Sequence, residues 1–214
     1  MTVHVLTVSP KLTISHPGDQ LIRYLQYEWE LYDAVSIAHD GCIGYYEILL
    51  CNAINAKLDN MNKIASVWLD RQYKPAAEKA LGQIPPDASL LDDNIPWESI
   101  TELFDQFCSI KFVKIAVATK ILHKKRPALI PMIDSVVNGF FKNEQPDFHC
   151  SKTPGDHIIR NMKYFRERLL ACHDEIETLC DQVAAAGFPI TPVRALEVLI
   201  WMALEPNGYY RQLE

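Results

Sequence analysis

Positive charge is scarce in this chain of 214 residues: 21 lysines and arginines stand against 27 aspartates and glutamates, for a net charge of -6. That balance excludes a bulk polyanion binder. A nucleic-acid partner would have to be met by a local basic patch, because phosphate contacts supply most non-specific affinity. Long apolar runs are missing too. No uninterrupted stretch approaches the ~20 residues that span a bilayer, so no membrane partner is expected. The first residues, MTVHVLTVSPKLTI, carry no basic segment ahead of an apolar core and do not read as a signal peptide. Cys42, Cys51, Cys108, Cys150, Cys172 and Cys180 form no CxxC, the pattern of reduced thiols in a cytoplasmic protein. Walker, GxSxG and HExxH motifs are absent, which leaves nucleotide hydrolysis, α/β-hydrolase and zincin chemistry without motif support. His149-Cys150 and Cys172-His173 have ligand chemistry but not the paired spacing of a zinc site. Neither a metal nor a cofactor is expected.

What the chain does have is apolar surface. Its hydrophobic share is 49%, with four Trp, nine Tyr and eight Phe, enough for one packed domain in which folding buries roughly 70% of the chain's surface. Helical periodicity dominates. Residues 2–8 alternate weakly and read as a short strand or an ordered tail, within an N-terminal arm over 1–18 broken by Pro10, Pro17 and Gly18. Asp19 is expected to cap a helix over 20–33 containing Trp29 as a core anchor. Further helices are expected near 45–56, after a cap at Asp59 or Asn60, over 73–82 and over 97–107. Residues 84–96 are rich in Pro and Asp and mark the candidate boundary between two lobes. Asp156 is expected to cap a long helix over 157–186, whose charge reverses along its length. Acidic residues near its C-terminal end oppose the helix dipole and predict a break near Cys172. Thr191-Pro192 opens the last helix. The expected fold class is all-α, with one helical lobe from 19–83 and 157–205 and a central helix-turn-helix lobe over 97–142.

The densest stretch is Lys111–Val137. It reads as an apolar helix, a basic exit at Lys124-Lys125-Arg126, a turn framed by Pro127 and Pro131, and a new helix opening at Asp134. Ala118-Thr119-Lys120-Ile121-Leu122, Lys125-Arg126-Pro127, Leu129-Ile130-Pro131 and Asp134-Ser135-Val136-Val137 resemble the signature of an uncharacterised, mainly actinobacterial family, A-[ST]-K-L-L…K-R-P-x-L-[IV]-P-x-x-D-x-V-V. Arg194 to Met202 is similar to that family's second landmark, R-x-L-D-V-x-x-W-M, with Glu197 in place of Asp. The span from Lys114 through Pro131 to Asp134 is also similar, more remotely, to helix-hairpin-helix DNA glycosylases. That resemblance implies a two-lobed fold, DNA as partner, a lysine nucleophile, and a catalytic Asp at a helix start facing the cleft. The hairpin position, Ile110 to Lys114, departs from it in having no glycine. Glycine there lets backbone N–H groups approach a phosphate and reach positive φ, so Lys111 and Lys114 would have to supply the charge.

These residues carry two readings each. Asp134 is a helix cap, an electrostatic catalyst for developing positive charge, or both. Lys114 and Lys120 are candidate amine nucleophiles if burial keeps them neutral, or snorkelling surface lysines. They project about 120° apart on a helix, so only one can face a cleft. Lys124, Lys125 and Arg126 either join Lys111 in binding phosphates or complement a helix C-terminus. Arg160, Lys163 and Arg166 extend that patch or lie on a solvated face. Tyr45, Tyr46 and Trp68 stack an extruded base or pack in the core. The functional expectation is a DNA-binding, base-excising protein of glycosylase-like fold. Its alternative is a non-catalytic helical interaction protein.

Overall fold

The computed structural model describes residues 3–28, 31–145 and 151–205. The chain is mostly helical. Ten α-helices among the described residues follow a two-stranded antiparallel sheet: β1 (Val5–Ser9), β2 (Leu12–Ser15), α1 (Pro17–Glu28), α2 (Tyr45–Leu50), α3 (Met61–Trp68), α4 (Lys74–Gly82), α5 (Trp97–Phe107), α6 (Ile115–Lys125), α7 (Ser135–Glu144), α8 (Pro154–Ala171), α9 (His173–Ala185) and α10 (Pro192–Leu204). A 3-10 turn over Cys51–Ile54 extends α2.

The small sheet adds a strand pair to the mostly helical fold, its first strand falling in the stretch read as a short strand or an ordered tail. Leu6, Val8, Leu12 and Ile14 are buried while their neighbours Val5 and Thr7 face out, the alternation of a strand pair with one face on the core. β1 packs on α8. Pro17 opens α1 instead of breaking the chain, as its fixed φ and missing N–H suit a first helical position. Trp29, proposed as a core anchor, lies outside the described residues.

Several boundaries follow the local chemistry. Asp134 caps α7, accepting from the N–H of Val136 at 2.9 Å and Val137 at 3.1 Å. Thr191 caps α10 through the N–H of Arg194 with Pro192 at the first helical position. The long helix breaks at Cys172 between α8 and α9. Its start is capped by Thr153, not Asp156, which sits in the first turn.

One contiguous set of buried side chains runs from Leu6 to Ile200. The connection 83–96 is tied into it: Ile84 and Leu90 are fully buried, and the Leu90 N–H reaches the Ala128 carbonyl. α4 and α5, on either side of that connection, pack against each other, and α5 packs on α8. Gly155 makes the α5–α8 contact possible. A Cβ there would lie 2.6 Å from the Thr101 carbonyl oxygen, and the Gly155 N–H donates to Asp105 Oδ1 at 2.7 Å. Gly155→Ala is therefore expected to destabilise the fold by about 1–3 kcal/mol through overpacking, read as a lower midpoint in urea unfolding.

Candidate functional site

The basic exit of α6 is not a surface patch. Lys125 and Arg126 are each only 1% exposed, and Lys124 is 9% exposed. Lys125 Nζ donates to the Ala38 carbonyl, Asp40 and Glu47 at 2.6–2.8 Å, which uses all three of its hydrogens. Arg126 holds the carbonyls of Ile84, Leu81, His39 and Lys125. Lys124 reaches the carbonyl of Tyr32 at 2.8 Å and lies over its ring. These cations satisfy main-chain acceptors of the segments 32–40 and 81–84 and have no free face for phosphate. The expectation that they bind nucleic acid is overturned on that ground. Arg160, Lys163 and Arg166 do not extend a patch either. Arg166 donates to the carbonyls of Leu90 and Asp92, Lys163 lies over Trp97, and Arg160 donates to Ser151.

The two candidate lysines part company. Lys114 is the exposed residue before α6, so the burial that a neutral amine requires is missing there. Lys120 is 9% exposed and lines a cavity of about 300 Å³ with Asp134, Arg194, Glu197, Tyr24 and Trp201. Its Nζ donates to the Ile54 carbonyl at 2.5 Å and the Asn55 carbonyl at 3.4 Å. A neutral amine has two hydrogens and one lone pair, so both hydrogens can sit on these carbonyls while the lone pair stays available. Burial lowers the Lys120 pKa, against the opposing pull of Asp134 and Glu197. Asn55 presents its carbonyl from a left-handed conformation, φ 60, which asparagine tolerates.

Asp134 caps its helix and also faces the cavity. Oδ1 caps α7, and Oδ2 accepts the indole N–H of Trp201 at 2.9 Å on the cavity side. The carboxylate is thus held by three donors. Its placement comes from the turn after Pro131, where the Ile133 N–H bonds Thr119 Oγ1 on α6.

The wall opposite is a buried charge network that the single-residue reading did not single out. Arg194 clamps Asp33 with two bonds of 2.8–2.9 Å, bonds Glu197 on the next turn of α10, and reaches Tyr24 at 2.9 Å. Burial opposes charge on Arg194, but Asp33, Tyr24 and Glu197 outweigh it and keep the guanidinium protonated. Burial likewise opposes charge on Asp33, and Arg194 outweighs that, holding the carboxyl below its ordinary value. Burial pushes Glu197 up to about 7. The available signal was an Arg and a Glu three residues apart in an otherwise apolar last helix.

His123 is the third element of this region. It is enclosed, stacks on Tyr32, and its Nδ1 faces the Ile130 carbonyl at 2.7 Å, so Nδ1 carries the proton. Burial lowers its pKa to about 4. The unfolded chain therefore binds a proton near 6.5 that the folded chain refuses until about 4. Stability is full above about pH 6.5 and falls progressively down to pH 4, by about 3 kcal/mol at 1.36 kcal/mol per unit. Thermal midpoints of wild type should drop across that window, and His123→Gln should flatten the slope.

Of the aromatic candidates, Tyr45 packs on Trp68 at 5.3 Å between ring centres, while Tyr46 and Trp68 are exposed. None of the three lines the cavity, whose aromatic walls are Tyr24 and Trp201, edge to face at 6.2 Å. Cys172 donates to the Arg168 carbonyl, and His149-Cys150 lies outside the described residues. Among the described residues no cluster of three His, Cys, Asp or Glu side chains could hold a metal, and no helix is long and apolar enough to cross a membrane.

A protein-family model matches residues 24–204, from the tyrosine in α1 that lines the cavity to the end of α10. The chain belongs to DUF6308, a family of unknown function. Every cavity residue named above lies inside the matched span. No curated protein and no solved structure matches the chain.

Proposed function

We propose that this DUF6308 protein cleaves N-glycosidic bonds at the cavity between α6, α7 and α10, with nucleic acid as substrate. The observation that carries this is the pairing, in one cavity, of a carboxylate fixed by three donors and a buried lysine amine of lowered pKa. Asp134 would stabilise positive charge developing on the sugar, and Lys120 would attack the sugar carbon in a lyase step. The aromatic edges of Tyr24 and Trp201 suit a flat base.

The strand would be held at the turn before α6. Lys111 and Lys114 are exposed there, and Phe112 adopts φ 72 without glycine, anchored by buried Ile110 and Val113. The burial of Lys124, Lys125 and Arg126 favours a second reading, a free nucleoside as substrate, since it removes most of the expected phosphate contacts.

Base release from a panel of lesion-bearing and abasic single- and double-stranded DNA, run beside free nucleosides, tests both. Release from DNA that weakens with salt and with Lys111→Ala/Lys114→Ala supports the first reading. Release from nucleosides alone supports the second, and no release from either defeats both.

A further inference from the structure

A second cavity, of about 320 Å³, shares Arg194 with the first and has no part in the chemistry proposed there. Its apolar walls are Val35, Ile37, Pro127, Pro189 and Ile190. Two buried polar side chains from successive residues of α6 line it, His123 at 3% exposed and Lys124 at 9%. Both lie against the ring of Tyr32, His123 stacked at 6.2 Å between ring centres and Lys124 Nζ 4.6 Å from the centre. The Nδ1 proton of His123 goes to the Ile130 carbonyl. Burial keeps the ring neutral above about pH 4. Nε2 is therefore an acceptor, and it makes no hydrogen bond among the described residues. Lys124 Nζ spends two hydrogens on the carbonyls of Tyr32 and Asp33, at 2.8 and 3.3 Å. One enclosed hydrogen remains, too little to grip a phosphate and enough for a single carbonyl oxygen. Asp33 is already answered by two bonds from Arg194. Apolar walls with one donor and one acceptor close together are the make-up of a small-ligand pocket, and the volume is at the lower end of the usual ~300–1,000 Å³.

We infer that this second cavity binds a small, flat, neutral ligand whose ring carries adjacent N–H and C=O groups: a lactam, a cyclic imide or a cyclic urea. The ligand N–H donates to His123 Nε2, and the ligand C=O accepts from Lys124 Nζ. The ring lies between the apolar walls. Charged ligands fit worse. An anion is offered one hydrogen beside the Asp33 carboxylate, and a cation meets Lys124 and Arg194. The inference is independent of the N-glycosidic reading, because it uses neither Lys120 nor Asp134 and involves no covalent step.

Titrating the full chain with uracil, hydantoin and 2-pyridone tests this, with nitrogen NMR of the histidine rings as the readout. The His123 signal is assigned by its loss in His123→Gln or, if that variant folds poorly, by its Nδ1–H tautomer. At least one of the three probes should displace the His123 Nε2 resonance saturably at millimolar concentration. 1,3-Dimethyluracil keeps the ring and both carbonyls of uracil but has no N–H. It should bind ~10-fold or more weaker than uracil, the scale of leaving one buried acceptor unpaired. Three results would overturn the inference. One is that no probe moves His123. Another is that a probe binds but perturbs only the Trp201 side of Arg194, which places it in the first cavity. The last is that dimethyluracil binds as tightly as uracil, which shows that shape alone selects the ligand.

Discussion

Replacing Arg126 with methionine is expected to destabilise the fold by about 3–5 kcal/mol, the usual result of removing one side of a buried charged hydrogen-bond set. The mechanism is specific. The guanidinium bonds carbonyls from three separate segments: Leu81 and Ile84 at the end of α4, His39 in the long loop, and Lys125 at the end of α6. Without it these acceptors stay buried and unpaired, each at about 1–3 kcal/mol. Arg126→Lys is expected to recover little, because three hydrogens on a flexible stem cannot span the positions that a planar fork reaches. In a chain of this size the loss should lower the thermal midpoint by roughly 10 °C. A phosphate-binding surface arginine would behave oppositely, with a change within about 0.5 kcal/mol and an altered salt dependence of DNA binding. Thermal unfolding of the two variants separates these outcomes.

Asp134→Asn is the second large effect, and it falls on activity. Asparagine caps a helix about as well as aspartate, so Val136 and Val137 keep an acceptor and α7 keeps its start. What changes is the charge in the cavity and the acceptor for the Trp201 indole. Base release should fall by ~10²–10³, the scale of losing one preorganised electrostatic group, while stability drops by no more than about 1–2 kcal/mol. Asp134→Ala loses the cap as well and should be less stable than Asp134→Asn by about 1 kcal/mol. If both variants lose stability alike and Asp134→Asn releases base at the wild-type rate, Asp134 is a cap alone.

The parts of this picture legible in the sequence are those decided within a few residues. The caps at Asp134 and Thr191, the break at Cys172 and the turn framed by Pro127 and Pro131 all follow from local main-chain chemistry. The burial of Lys124, Lys125 and Arg126 does not, because all but one of their side-chain acceptors lie 42–92 residues away in sequence. A basic run after a helix looks the same whether a loop wraps it or water does. The separation of Lys114 from Lys120 was half visible. Helical geometry said that only one could face a cleft, and the contact of the Ile54 and Asn55 carbonyls with Lys120 decided which. The charge network around Arg194 needed Asp33 and Tyr24 brought to α10, which periodicity does not report. The hairpin β1–β2 was missed at its second strand, where Lys11 and the Thr13 alternation follow too close on Pro10 to stand out from a tail.

The most direct measurement of the central claim is borohydride trapping on abasic DNA followed by peptide mapping of the adduct. A lysine amine condenses with the sugar aldehyde to an imine, losing water, and borohydride reduces the carbon–nitrogen double bond to a stable amine. The cavity assigned here predicts one labelled peptide, carrying the adduct on Lys120, abolished by Lys120→Met and retained in Lys114→Met. An adduct on Lys114, or no adduct from a protein that binds the DNA, would contradict it.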